Sequence, residues 1–381
     1  MKIFFNSFLF LVLVCFGLLY ISKYNYILEG VSKIYLKGYT TAYLDDYKTF
    51  ENREIPISQN PNPWNLHVNY NRSEIPKDFE SYNKKSGTVA FLVIKNDSIL
   101  FEKYYNGYGI KSMSNSFSMA KSIVSALLGK SIMQGHIKGL DQKVKDFFPE
   151  IKGEFADKLE VGHLSNMSSG MVWKEDYFNP FEVTASAYFV EDISKLILNQ
   201  PIKYKPGKEF KYKSGATQLL GMVISKATGK NLSNYLYESF WNPMGFENKA
   251  LWQIDSEKFG MEKAYCCIAS NARDFARFGK LYKNFGKWNN KVLLDSTFVN
   301  KSLNPVFNEE SEYGYGWWID NYKNQKILLM RGHLGQYVIL LPEKNLIFVR
   351  LGQQKEGKKV KKSFTEDIYA YIDFGIEIAK K

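Results

Sequence analysis

The sequence predicts an α/β (α+β) chain: an antiparallel sheet of five or more strands, built from both ends, flanked by helices and interrupted by a mostly helical region. Three observations carry this. Residues 88–95 (TVAFLVIK) form an apolar run that turns at Asn96-Asp97 into the alternating run 99–105, the pattern of a β-hairpin. Residues from about 119 to 245 hold successive segments with apolar side chains at helical spacing. The chain then returns to strand pattern at 315–319, 336–341 and 346–350. One sheet shared by the two ends, with helices inserted between, is the simplest way to bury all these faces.

In chain order, residues 3–21 are almost unbroken apolar sequence, interrupted only by Asn6 and Ser7. As a helix they would span roughly 28 Å, enough to cross a bilayer. Tyr20 and Ser22 fit a small-residue cleavage site poorly, and Cys15 lacks the small residues that precede a lipidated cysteine. Residues 1–22 are therefore expected to be an uncleaved membrane anchor in preference to a cleaved signal. Either way the remainder is exported to the cell envelope, on the periplasmic side. Residues 23–86, rich in Tyr, Asn and Pro, read as a stalk or wrapping extension without chemistry of its own. Residues 87–381 form the expected folded unit. Its helices are expected at 119–134, ended by Gly135, at 193–199, at 217–228, stopped by Gly229, and at 232–240. Residues 342–345 link the last two strands, and 364–380 make an amphipathic helix able to cover one sheet face.

Composition narrows the function. With 45% hydrophobic and 24% charged residues, the chain holds too much core material for a disordered or collagen-like protein. The net charge of +12 is dispersed, dense only at Lys358, Lys359, Lys361 and Lys362, which argues against a nucleic-acid partner. Three cysteines make no disulfide framework, and Cys266 and Cys267 are expected to pack as small hydrophobes. The four histidines show no ligand spacing, so neither metal nor cofactor is expected.

Chemistry is expected at three places. Ser118 lies where a loop becomes the 119–134 helix, and Lys121 projects from the same face one turn later. A helix N-terminus favours a developing alkoxide, and an amine among Met119, Ala120, Ile123 and Val124 is desolvated toward a useful basicity. The spacing alone is weak, since Ser81 and Lys84 share it without a helix pattern. Tyr212 and Ser214 sit in a loop before the 217–228 helix, a suitable place for a proton shuttle. His333 and Gly335 open the strand at 336–341, where glycine permits close approach and a backbone N–H can meet an oxyanion. His163 has no G-x-S-x-G partner in the chain and is expected to be structural.

Ser118-x-x-Lys121, Tyr212-x-Ser214 and His333-x-Gly335, in this order, resemble the motifs of the serine β-lactamase and penicillin-binding protein superfamily. The segments 140–150, 163–170, 219–229, 272–279 and 313–318 resemble its class C β-lactamase-like branch, with esterases and 6-aminohexanoate-oligomer hydrolases. The resemblance implies a β-lactamase-like fold and a serine hydrolase that cleaves a small-molecule or peptide-like amide or ester through an acyl-enzyme. Ser118 would be the nucleophile, Lys121 and Tyr212 the general base and acid, and the amides of Ser118 and Gln336 the oxyanion donors. His333, Gly335, Ser214, Trp173, Asp176 and Tyr177 would contact substrate. Two departures matter: Ser214 stands where the family often has Asn, and His333 where it often has Lys. The loss of that lysine argues against penicillin turnover and for an esterase or amidase. The alternative is a D,D-peptidase or penicillin-binding-like protein that cleaves, or merely binds, peptidoglycan stem peptides.

Overall fold

The computed structural model describes residues 19–307, 312–354, 357–361 and 363–380, together with positions 10, 14 and 17. The apolar run becomes the strand Thr88–Lys95, buried at every residue but the last, and turns through Asn96 and Asp97 into Ser98–Tyr104. Both turn residues are left-handed, with φ of 50° and 61°, which matches the right-handed twist of the flanking strands. A seven-stranded sheet runs in the order Trp318–Tyr322, Gln325–Gly332, Gln336–Leu341, Leu346–Gly352, Thr88–Lys95, Ser98–Tyr104, Asn65–Leu66. Neighbours are antiparallel except the last pair, which is parallel.

Because side chains alternate along a strand, this sheet splits one apolar run between two cores. Leu92, Ile94, Val338, Leu340 and Val349 face the helical region, while Phe91, Val93, Ile339 and Phe348 meet the helix Glu366–Ala379. Burial of both faces explains why these strands read as near-continuous apolar sequence. Gly279, on the helix Ala272–Lys283, lets that helix sit close to the sheet: a Cβ there would come within 2.9 Å of Leu340 and 3.0 Å of Val338.

Several elements differ from expectation in position. The strand expected at 315–319 runs Trp318–Tyr322, and Gln325–Gly332, expected nowhere, pairs beside it across a turn at Lys323 and Asn324. The helix expected at 217–228 begins at Ser214. The segment 232–240 is an α-helix at Leu232–Leu236 that continues as a π-helix through Tyr237–Trp241. Residues 26–86 lie against the rest of the chain: Asn52–Ile55 pairs with Ala250–Gln253, and buried Trp64 donates its indole N–H to the Arg273 carbonyl at 2.9 Å.

Cys266 and Cys267 are expected as two separate small hydrophobes. Instead they are joined as a vicinal disulfide, with Cys267 held at φ 76°. The expected anchor at 1–22 lies largely outside the described residues. Among the described residues, no helix is long and apolar enough to cross a membrane.

Candidate active site

Ser118 sits in a single 3-10 turn, Phe117–Met119, that leads into the helix Ala120–Met133. Residues 114–117 and 119–129 are buried around it, whereas Ser118 is only half-buried and reaches open space. The turn is held under strain: Phe117 adopts φ 45°, costly for an aromatic residue. Asn115 sustains it by accepting the Phe117 N–H at 2.9 Å, while its own amide donates to the buried Asp46 carboxylate at 2.8 Å.

Lys121 follows one turn along the helix, 2% exposed. Its Nζ donates to Ser118 Oγ at 3.0 Å and to the Tyr265 carbonyl at 2.8 Å. Burial pushes the amine down to about 8, against a smaller opposing pull from the Glu175 carboxylate. The same Nζ stands 5.0 Å from the centre of the Tyr212 ring. Burial raises the Tyr212 phenol above its ordinary value, Glu175 adds to this, and a hydrogen bond with Ser118 opposes it. A serine, a depressed amine and a phenol kept protonated thus converge from two places in the sequence.

The third motif arrives on the strand Gln325–Gly332. Gly332 makes the approach possible, because a Cβ there would fall 2.2 Å from the Ser116 carbonyl oxygen. Beyond it Leu334 and Gly335 are both left-handed. Buried Arg350 braces this turn by donating to the carbonyls of Leu334 at 2.7 Å and Gly335 at 2.8 Å. The Gln336 amide is committed to the sheet: Nε2 donates to the carbonyls of Gly352 at 2.6 Å and His333 at 3.1 Å, and Oε1 accepts the Gly352 N–H at 3.0 Å. Only the backbone of Gln336 is left for the site. His333 lies edge-on to Phe117 at 5.5 Å and stacks with Tyr177 at 5.7 Å.

Ser214 opens its helix and does not belong to the preceding loop. Its N–H donates to Glu175 at 2.7 Å, its hydroxyl donates to the same carboxylate, and so does the Tyr177 hydroxyl. Glu175 is therefore a centre of the site that sequence reasoning missed; the signal was an acid lodged between Trp173 and Tyr177. Trp173 and Asp176 lie elsewhere. Trp173 is buried against Gly215, where a Cβ would meet its ring at 2.4 Å. Asp176 ties its own loop by accepting the N–H groups of Phe178 at 3.0 Å and Asn179 at 3.2 Å. His163 caps a helix start, its Nδ1 accepting the Glu160 N–H at 3.2 Å.

Two cavities meet at Ser118, each bordered also by Tyr177 and His333. One, with about 850 Å³ of empty space including its mouth, is walled by Tyr26, Ile34, Phe117, Pro180, Tyr188 and Phe189. The other, about 900 Å³ on the same measure, is lined by Glu175, Tyr212, Trp318, Arg331 and Lys359. Ser118 thus stands on the border between the two.

The model of the Beta-lactamase family matches residues 76–369. Among relatives, a 6-aminohexanoate-dimer hydrolase of Paenarthrobacter ureafaciens is 24% identical over 297 residues, covering 72% of this chain and 74% of the relative. A provisionally named 6-aminohexanoate-dimer hydrolase of Bacillus anthracis superposes with a TM-score of 0.75 at 20% identity, covering 95% of each chain. A D-amino acid amidase of Ochrobactrum anthropi SV3 superposes with a TM-score of 0.58 at 15% identity, over 79% of this chain and 95% of its own. These likenesses show the fold.

Proposed function

The chain belongs to the Beta-lactamase family and is a serine hydrolase of amidase or esterase type; from that premise we propose that it cleaves its substrate through an acyl-enzyme on Ser118, with Lys121 and Tyr212 as one base and acid pair. The observation that carries this reading is the 3.0 Å contact between Lys121 Nζ and Ser118 Oγ, in a place where burial holds the amine near 8. In its neutral form Lys121 takes the Ser118 proton as Oγ attacks the carbonyl carbon. The resulting oxyanion is received by the backbone N–H groups of Ser118 and Gln336. Collapse of the tetrahedral adduct expels the leaving group, which takes its proton from Tyr212, and Tyr212 is resupplied from Lys121. Water then attacks the acyl-enzyme with the pair acting in reverse, releasing the acid and restoring Ser118. Glu175, on the wall of the cavity that holds Ser118 and Tyr212, fixes Ser214 and Tyr177, and His333 with Tyr177 borders the bound carbonyl.

Covalent labelling by a fluorophosphonate tests the reading: wild type is expected to be labelled on Ser118 and Ser118→Ala to stay unlabelled. Hydrolysis that persists in Ser118→Ala would overturn the mechanism. One observation favours a second reading, a D,D-peptidase. Arg331 and Lys359 border the same cavity as Tyr212 and could receive a stem-peptide carboxylate in place of the family's usual lysine. Release of D-alanine from a stem peptide, absent in Ser118→Ala, would select it. We further place the reaction outside the cytoplasmic membrane, on the strength of the apolar run 3–21; fractionation of the native host tests this.

A further inference from the structure

The walls of the two cavities differ in a way that assigns each half of the substrate, given the acyl-enzyme reading above. The proton donor to the leaving group, Tyr212, borders the cavity that also holds Arg331 and Lys359, and it does not border the other. The leaving group must sit where its proton comes from, so it occupies the polar side. The acyl group then lies on the opposite side of Ser118, in a cavity walled mainly by apolar and aromatic groups.

That second wall is not supplied by the helical region alone. The helix Tyr26–Lys33 lies along Val183–Phe189, close enough that a Cβ on Gly30 would meet the Phe189 ring at 3.2 Å. Tyr26 is 5% exposed and pins the contact by donating its hydroxyl to the Pro180 carbonyl at 2.9 Å. Ile34 completes this side with 1% exposure. At the opening stand Phe178, 74% exposed, and Tyr35, 45% exposed, large apolar groups in contact with water. An apolar cavity whose wall includes both these solvent-facing groups and Ser118 has the form of a ligand site.

We propose that residues 26–42 form one wall of an acyl-binding tunnel, and that the substrate class is an ester or amide of an apolar acyl group carried on a polar leaving group. The physical content is simple: each methylene that enters the tunnel leaves water, and the gain is kept in the transition state because the chain hangs from the reacting carbon.

The test is a series of p-nitrophenyl acetate, butyrate and octanoate, read as kcat/KM. Wild type is expected to gain about fourfold for each methylene seated. A matching series of acetates with lengthening alkyl alcohols is expected to stay flat. Ala185→Trp, which fills the tunnel from the helix Val183–Phe189, is expected to bring the octanoate-to-acetate ratio close to one. Fluorophosphonate labelling of that variant verifies that it is folded, and the wild-type series stands without it. A flat or falling acyl series on an enzyme whose acetate turnover needs Ser118 would overturn the tunnel and leave the mechanism intact. A preference that follows the alcohol and ignores the acyl chain would do the same. Acetate turnover that does not need Ser118 would instead remove the mechanism on which the tunnel rests.

Discussion

Replacing Lys121 with methionine should make the protein more stable at neutral pH while silencing Ser118. The amine is pushed from 10.5 to about 8, chiefly by burial. At 1.36 kcal/mol per pKa unit, holding it charged in the folded state at pH 7 costs about 3 kcal/mol. Methionine removes that penalty and fills similar space, but it leaves the Tyr265 carbonyl without the donor it has at 2.8 Å, a loss of about 1–2 kcal/mol. The net gain is on the order of 1–2 kcal/mol, a rise in Tm of about 2 °C for a chain of this length. The pH dependence has a definite sign. Below pH 8 the amine is protonated in both folded and unfolded chains, and the whole penalty applies. Between 8 and 10.5 the unfolded chain binds more protons, so wild-type stability from this group rises with pH. The advantage of Lys121→Met should therefore be present at pH 7 and gone by pH 10.5. Thermal unfolding of both proteins at the two pH values, beside the rate of fluorophosphonate labelling, reads stability and chemistry together. Labelling should fall by roughly 10²–10⁴. A variant less stable than wild type by the same amount at both pH values would refute the argument that burial depresses this amine.

Three further outcomes follow from the geometry. In wild type, kcat/KM should rise through an apparent pKa near 8 that belongs to the Lys121 and Tyr212 pair, with no alkaline fall below about pH 10, since the phenol is raised; a pH-rate profile checks it. Gly332→Ala should cost about 1–3 kcal/mol by driving a methyl into the Ser116 carbonyl, and labelling of Ser118 should fall further than Tm implies, because the displaced loop carries the nucleophile. Arg350→Met strips the donors from the carbonyls of Ser86, Leu334, Gly335 and Gln354; denaturant titration should register a loss of about 3 kcal/mol or more.

Much of the fold and site was legible because it rested on local pattern. An apolar run that is buried on both faces, as at Thr88–Lys95, announces itself whatever it pairs with. Ser118 and Lys121 are likewise one helical turn apart, so their meeting needs no tertiary information. Gln325–Gly332 was missed because only its four central residues are apolar, and its turn, Lys323-Asn324, is a less distinctive signal than Asn-Gly. Glu175 was missed for a different reason. Its partner Ser214 lies far along the chain, and an acid in an aperiodic loop carries no mark of the contact it will make. The same holds for Tyr26 and Ile34, whose place on the wall of a cavity that reaches Ser118 depends on how a helix distant in sequence packs. The strain at Phe117 was invisible because φ is set by Asn115 and Asp46 together, not by the identity of the aromatic residue.

Within the sheet, Thr88–Lys95 lies between its hairpin mate and Leu346–Gly352, the last strand to be made. During synthesis the apolar edge of Thr88–Lys95 must therefore wait, unpaired, until nearly the whole chain has emerged. Such a delay favours slow assembly and invites association between nascent chains. It also means that His333 and Gly332 reach Ser118 only at the end. A half-made copy should be sticky yet unable to hydrolyse anything, and truncation just before residue 346 should yield insoluble protein in place of a weakened enzyme.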